Sequence, residues 1–87
     1  MNQLYSFVVR DKPSLILLAL YNSNVELCGL DLCKVVDTTY AHAWLILNAF
    51  EDAGLVYFEK VGRSKFIHLT KKGEVVASSF NLIRATL

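Results

Sequence analysis

No stretch of this sequence is long and apolar enough to cross a bilayer. The apolar run from Leu15 to Tyr21 falls far short of the ~20 residues that a spanning helix needs. The N-terminus has neither the basic start nor the small-residue cleavage site of a secretory signal, so we expect a soluble, cytoplasmic protein with no membrane partner. There is no low-complexity tract, internal repeat or interdomain linker, and residues 1–87 read as one folded domain. A large charge of either sign is also missing. Nine Lys and Arg stand against eight Asp and Glu, for a net +1, so overall charge makes no case for nucleic acid. Cysteine is scarce, with Cys28 and Cys33 alone, five positions apart. Structural zinc asks for tighter pairs and four ligands, so no metal or other cofactor is expected. Two reduced thiols, or a redox-sensing pair, both fit.

Catalytic groupings are absent as well. No nucleophile, base and orienting group come together, and no Gly-rich phosphate loop is present. Glu51 and Asp52 are neighbours on a helical segment and project in different directions. His68 alternates with Ile67 and Leu69 and belongs on the opposite strand face. The expectation is a protein that is not an enzyme.

Apolar residues make up 54% of the chain. A domain this small buries a modest share of its surface, so some of that apolar area is expected to meet a second copy in a homodimer. Charge, though balanced overall, is clustered. Lys60, Arg63, Lys65, Lys71 and Lys72 follow one another with no acid between them, and such a patch attracts phosphate.

The order of elements can be read from punctuation and periodicity. "LYSFVV" near the N-terminus suits a strand or a first helical turn. Asp11 can cap, and Pro13 suits the first turn of a helix running through "SLILLALYNS" until Asn22, Ser23 and Asn24 stop it. "VEL" at Val25 to Leu27 is long enough only for a bridging strand. "CGLDLCKVVD" reads as a second helix, with Leu30, Cys33 and Val36 as its inner stripe and Asp31 and Lys34 facing away. Asp37 and Thr38 can end it and cap a third helix from about Thr39 to Ala53. Ala43, Ile46, Leu47 and Phe50 form that helix's buried face, and Gly54 stops it. "LVYFEKVGRSKFIHLT" reads as two strands around a Gly62-Arg63-Ser64 turn. A last helix carries Val76, Phe80, Ile83 and Leu87 as its stripe. The result is a helix-turn-helix followed by a β-hairpin.

Three segments in this order, "FEDAGLV" (50–56), "GRSKFIHLT" (62–70) and "KKG" (71–73), resemble winged helix-turn-helix transcriptional regulators of the MarR-like and ArsR-like type. "DTTYAHAWLILNAFEDAGLV" is especially similar to small archaeal members, and the resemblance covers about residues 13–80. It implies an α+β fold: a three-helix core, a β-hairpin wing and a C-terminal helix. It also implies a dimeric regulator binding double-stranded DNA, with helix 39–53 in the major groove and the 56–70 hairpin on the backbone. The matching contact positions are Thr38, Thr39, Tyr40 and His42 at the start of the third helix, and Lys60, Arg63, Ser64 and Lys65 on the wing. Thr38 and Thr39 suit helix capping equally well, and Tyr40 suits packing. Leu4, Tyr5, Phe7, Phe80, Ile83 and Leu87 are the expected dimer contacts. The chain departs from the pattern at Trp44, Leu45 and Ile46, where relatives carry polar residues. Ala41, Leu45, Asn48 and Asp52 offer a duplex few donors. A winged helix serving as a protein-interaction module is therefore the alternative.

Overall fold

The computed structural model describes residues 12–86. The "LYSFVV" segment, Asp11, and the dimer candidates Leu4, Tyr5, Phe7 and Leu87 lie outside the described residues.

Helix α1 spans Lys12–Asn22, with Pro13 in its first turn, and buries Ser14, Ile16, Leu17 and Leu18. It closes as expected at Asn22, whose Nδ2 donates to the Leu18 carbonyl at 2.9 Å. The bridging strand then starts later than its sequence suggests. Strand β1 is Leu27–Cys28, not Val25–Leu27. Ser23 Oγ donates to the Val25 carbonyl (2.6 Å) and accepts from the Val25 N–H (3.2 Å), so the N–H of Val25 is taken by a local turn that competes with a ladder.

Helix α2 spans Gly29–Val36 and buries Gly29, Leu32 and Val36. The expected stripe of Leu30, Cys33 and Val36 is corrected: Leu30 is 58% exposed and Cys33 only half-buried. At 100° per residue, two three-residue steps sweep about 120° around a helix, whereas positions 29, 32 and 36 stay within about 60°. Asp37 ends the helix in the left-handed region (φ 57°). Thr39, rather than Asp37 or Thr38, then caps helix α3, Tyr40–Asp52, by accepting the His42 N–H at 3.2 Å. The expected inner face of α3 holds. Ala43, Ile46 and Leu47 are buried, and half-buried Phe50 packs against the same core. Gly54 follows at φ 77°.

Strands β2 (Val56–Val61) and β3 (Ser64–Leu69) pair antiparallel, from Val56 opposite Leu69 to Val61 opposite Ser64. The turn is therefore Gly62-Arg63 alone, and Ser64 already belongs to the ladder. Gly62 has φ 61°, which a two-residue hairpin turn with glycine first requires. Strand β1 adds to the far edge of β3, giving the order β1-β3-β2. Helix α4 spans Lys71–Thr86. Thr70 caps it, accepting the Gly73 N–H at 3.0 Å while donating to the Gly54 carbonyl at 2.6 Å. Its most buried residues are Gly73 and Ala77. The expected stripe residues Val76, Phe80 and Ile83 are half-buried, the last two against Leu18 of α1.

The main core joins the first three helices to the hairpin. Ile16, Leu32, Val36, Ile46, Leu47, Val56 and Ile67 form one buried cluster drawn from α1, α2, α3 and the hairpin. Among the described residues, four helices and a three-stranded antiparallel sheet make the winged helix-turn-helix arrangement expected from the sequence. No helix among them is long and apolar enough to cross a membrane.

Candidate nucleic-acid interface

The wing and the start of α3 border one groove. Tyr40, Ala41 and Trp44 line its helix side, and Arg63, Ser64 and Lys65 its wing side. Cys28, Gly29 and Leu30 form the floor at the head of α2, and the space measures ≈ 540 Å³. The register explains the wing side. Lys60 lies directly opposite Lys65, in phase with Phe58 and Ile67, and so on the sheet face turned to the helices. Like charges directly opposite on a sheet repel. This pair is held together by the fold and relieved at one end only: Lys65 Nζ sits 5.1 Å from the Trp44 ring centroid and 4.9 Å from that of Phe58.

Trp44 is the hinge of the arrangement. Its ring meets Phe58 edge-on at 5.3 Å and Tyr40 at 6.2 Å. The indole also presses on α2 so closely that a Cβ at Gly29 would lie 2.6 Å from Trp44 Nε1. In the sequence Trp44 stands out as a departure from the pattern, not as this contact. The period-two phase of Phe58 and Lys65 across a two-residue turn was the signal that could have found it.

The other site residues fall around this groove. Tyr40 is 52% exposed. Thr39 and His42 are exposed on the first turn of α3, although Thr39 Oγ1 is engaged by the His42 N–H. Thr38 is half-buried. Lys60, Arg63, Ser64 and Lys65 are exposed. Thr38, Thr39, His42 and Lys60 do not border the groove itself, while Tyr40, Arg63, Ser64 and Lys65 do. Further along α3, Ala41, Leu45, Asn48 and Asp52 are all exposed, Leu45 to 68%. Asp52 is twelve residues from Tyr40 along α3, about 18 Å at 1.5 Å per residue. An anion at the first turn would therefore stand clear of it.

Two lysines serve the fold instead. Lys72 Nζ donates to the Ala53 carbonyl at 2.9 Å, at the C-terminal end of α3, and Lys12 Nζ to the Val36 carbonyl at 2.9 Å, at the end of α2. Both meet the negative end of a helix dipole. The charge of Lys72, awkward at the start of α4, is thus explained by α3. At the head of α2, Cys28 donates to Asp31 Oδ2 from its N–H (3.0 Å) and its thiol (3.2 Å). Those two bonds hold the Asp31 carboxyl below its ordinary value of 3.8.

The geometry is that of a winged helix whose wing and third helix share one cation-lined groove. The solved structures like it bear this out for the fold. AF1382 of Archaeoglobus fulgidus superposes with a TM-score of 0.88 and 26% identity, over 97% of this chain and 96% of that one. MepR, a transcription regulator of the Staphylococcus aureus multidrug efflux pump MepA, gives 0.78 with 25% identity, over 93% of this chain and 62% of MepR. A MepR–DNA complex gives 0.76 with 24% identity, over 95% of this chain and 70% of that one. No family model matches the sequence. An uncharacterised A. fulgidus protein is 40% identical over 48 residues, 55% of this chain and 50% of that protein. The match thus spans about half the length of that curated relative.

Proposed function

We propose that this protein, a single domain over residues 1–87, is a small DNA-binding transcriptional regulator that acts as a homodimer. The first turn of α3, with Thr38, Thr39, Tyr40 and His42, enters the major groove. Lys60, Arg63, Ser64 and Lys65 on the wing hold the backbone. The observation that carries this reading is the pair of wing cations Arg63 and Lys65 lining the groove that α3 borders, with Lys60 directly across the ladder from Lys65. A fold that sets two cations face to face lowers its own stability there and gains it back when a polyanion arrives. The regulators among the structural neighbours, one of them solved with DNA, support the same reading. Because the middle of α3 has few donors, contacts to phosphate outweigh contacts to bases, and sequence preference comes largely from duplex shape. Phe80 and Ile83 remain candidate dimer contacts through the half of each side chain left free by Leu18.

Fluorescence anisotropy with mixed-sequence duplex tests this directly. Arg63→Ala and Lys60→Ala are each expected to weaken binding about equally on every sequence and to flatten the salt slope by about 1. Unchanged affinity in the double variant would overturn the wing assignment. The exposed Leu45 (68%) and Leu30 (58%) favour the second reading, a protein-interaction module. Absence of any shift with duplex at low salt, together with loss of a protein partner in Leu45→Asp, would select it.

A further inference from the structure

The sheet has a second face, turned away from the core. Strand alternation places Tyr57, Glu59 and His68 there, with His68 directly opposite Tyr57. The register that sets Leu27 beside Ile67 carries Glu26, one residue earlier, to the side of His68. His68 Nε2 and Glu59 Oε1 stand 2.9 Å apart, and the ligand atoms of Glu26, Glu59 and His68 all lie within 4.8 Å of one another. Tyr57 steadies the imidazole, ring against ring at 5.1 Å and 30°. Glu26 and His68 border a concavity of ≈ 600 Å³.

We propose that Glu26, Glu59 and His68 form a site for a divalent transition ion of the zinc class, completed by water. One imidazole with two carboxylates is a borderline donor set. It suits Zn²⁺, Co²⁺ or Ni²⁺, and it is poor for Mg²⁺ and Ca²⁺, which favour oxygen alone. Around tetrahedral zinc such donors stand about 3.4 Å apart, so small side-chain rotations bring all three into place. A plain His–Glu ion pair explains the geometry less well. An exposed pair of that kind gains little, and the second carboxylate adds repulsion. Among the described residues, neither glutamate is paired with a Lys or Arg. A dication satisfies all three side chains together. It would also tie the chain entering the two-residue strand β1 to both strands of the wing, a cross-link that the short ladder otherwise lacks. This site shares no residue with the cysteines and is independent of the DNA reading.

The experiment uses the full chain, stripped with chelator, in a Cys28→Ser/Cys33→Ser background that removes thiol binding. Calorimetric titration with ZnCl₂ is expected to give one ion per chain, and MgCl₂ no heat. At a hundredfold excess of free Zn²⁺ over its Kd, the Tm should rise by about 15 °C. Co²⁺ should develop the visible absorption of a nitrogen- and oxygen-ligated ion. His68→Gln and Glu26→Gln should each weaken zinc binding tenfold or more, while Glu74→Gln, on the rim of the same concavity, leaves it unchanged. Circular dichroism checks that each variant is folded. No zinc heat would overturn the proposal, as would full affinity in folded Glu26→Gln or His68→Gln.

Discussion

Gly73 shows how little room single residues have. A Cβ there would run into the Leu55 carbonyl oxygen, a backbone atom that cannot step aside. Gly73→Ala is therefore expected to cost about 2–3 kcal/mol, read from urea unfolding, through the overpacking of the joint between α4 and the start of β2. Asp31 acts through charge. Its carboxylate accepts two bonds from Cys28, so the folded state binds its proton less readily than the unfolded state does. Its contribution is full above the ordinary value of 3.8 and is lost as pH falls through the lowered one. Asp31→Asn should lower stability at neutral pH by about 1 kcal/mol and show less further loss below pH ~4 than the parent, measured by denaturant titration across pH.

The helices end on groups borrowed from elsewhere in the chain. Lys72 caps α3 from the first turn of α4, and Lys12 caps α2 from the start of α1. Replacing Lys72 by Ala should lower stability by about 0.5–1 kcal/mol and leave DNA affinity unchanged. Lys60→Ala and Arg63→Ala should behave in the opposite way, with affinity falling and stability holding or rising, whereas Lys65→Ala should also lose its seat over Trp44 and Phe58. Five consecutive cations in the sequence thus divide into different roles. The division was not legible in the sequence, because the Ala53 carbonyl that Lys72 meets lies nineteen positions away. The inner face of α3 was legible, because Ala43, Ile46 and Leu47 repeat at helical spacing and the core is on one side only. The stripe of α2 is ambiguous in sequence because a short helix offers two overlapping apolar patterns. Which of them is buried depends on where β1 and α3 pack. The start of β1 is hidden for a similar reason, since the Ser23 turn engages the Val25 N–H locally.

Among the described residues, Lys60, Arg63 and Lys65 gather on the wing, and Glu59 of the same hairpin lies on the opposite sheet face. If each protomer of a dimer offers Lys60, Arg63 and Lys65 to phosphate, six contacts form, and log K should fall with log[salt] with a slope of about −5. A slope near −2 to −3 would point to a monomer on the duplex. Ile83→Asp, at the half-buried seam of α4 with Leu18, should shift the mass seen by light scattering toward the monomer and lower apparent affinity by removing the second half-site. An unchanged mass would move the dimer contact away from α4.

Element order, the helix-turn-helix with its hairpin, and the cluster of cations around Gly62 were all present in the one-dimensional pattern. Periodicity and turn residues are local, and a local reading suffices for them. The pairing of Lys60 with Lys65, the seat of Lys65 over Trp44, and the meeting of Glu26, Glu59 and His68 emerged only on folding. Each depends on strand register and on how the sheet packs against α3. Those follow from burying Ile67, Val56 and Leu47 together, a condition on the entire core that no short window of residues contains.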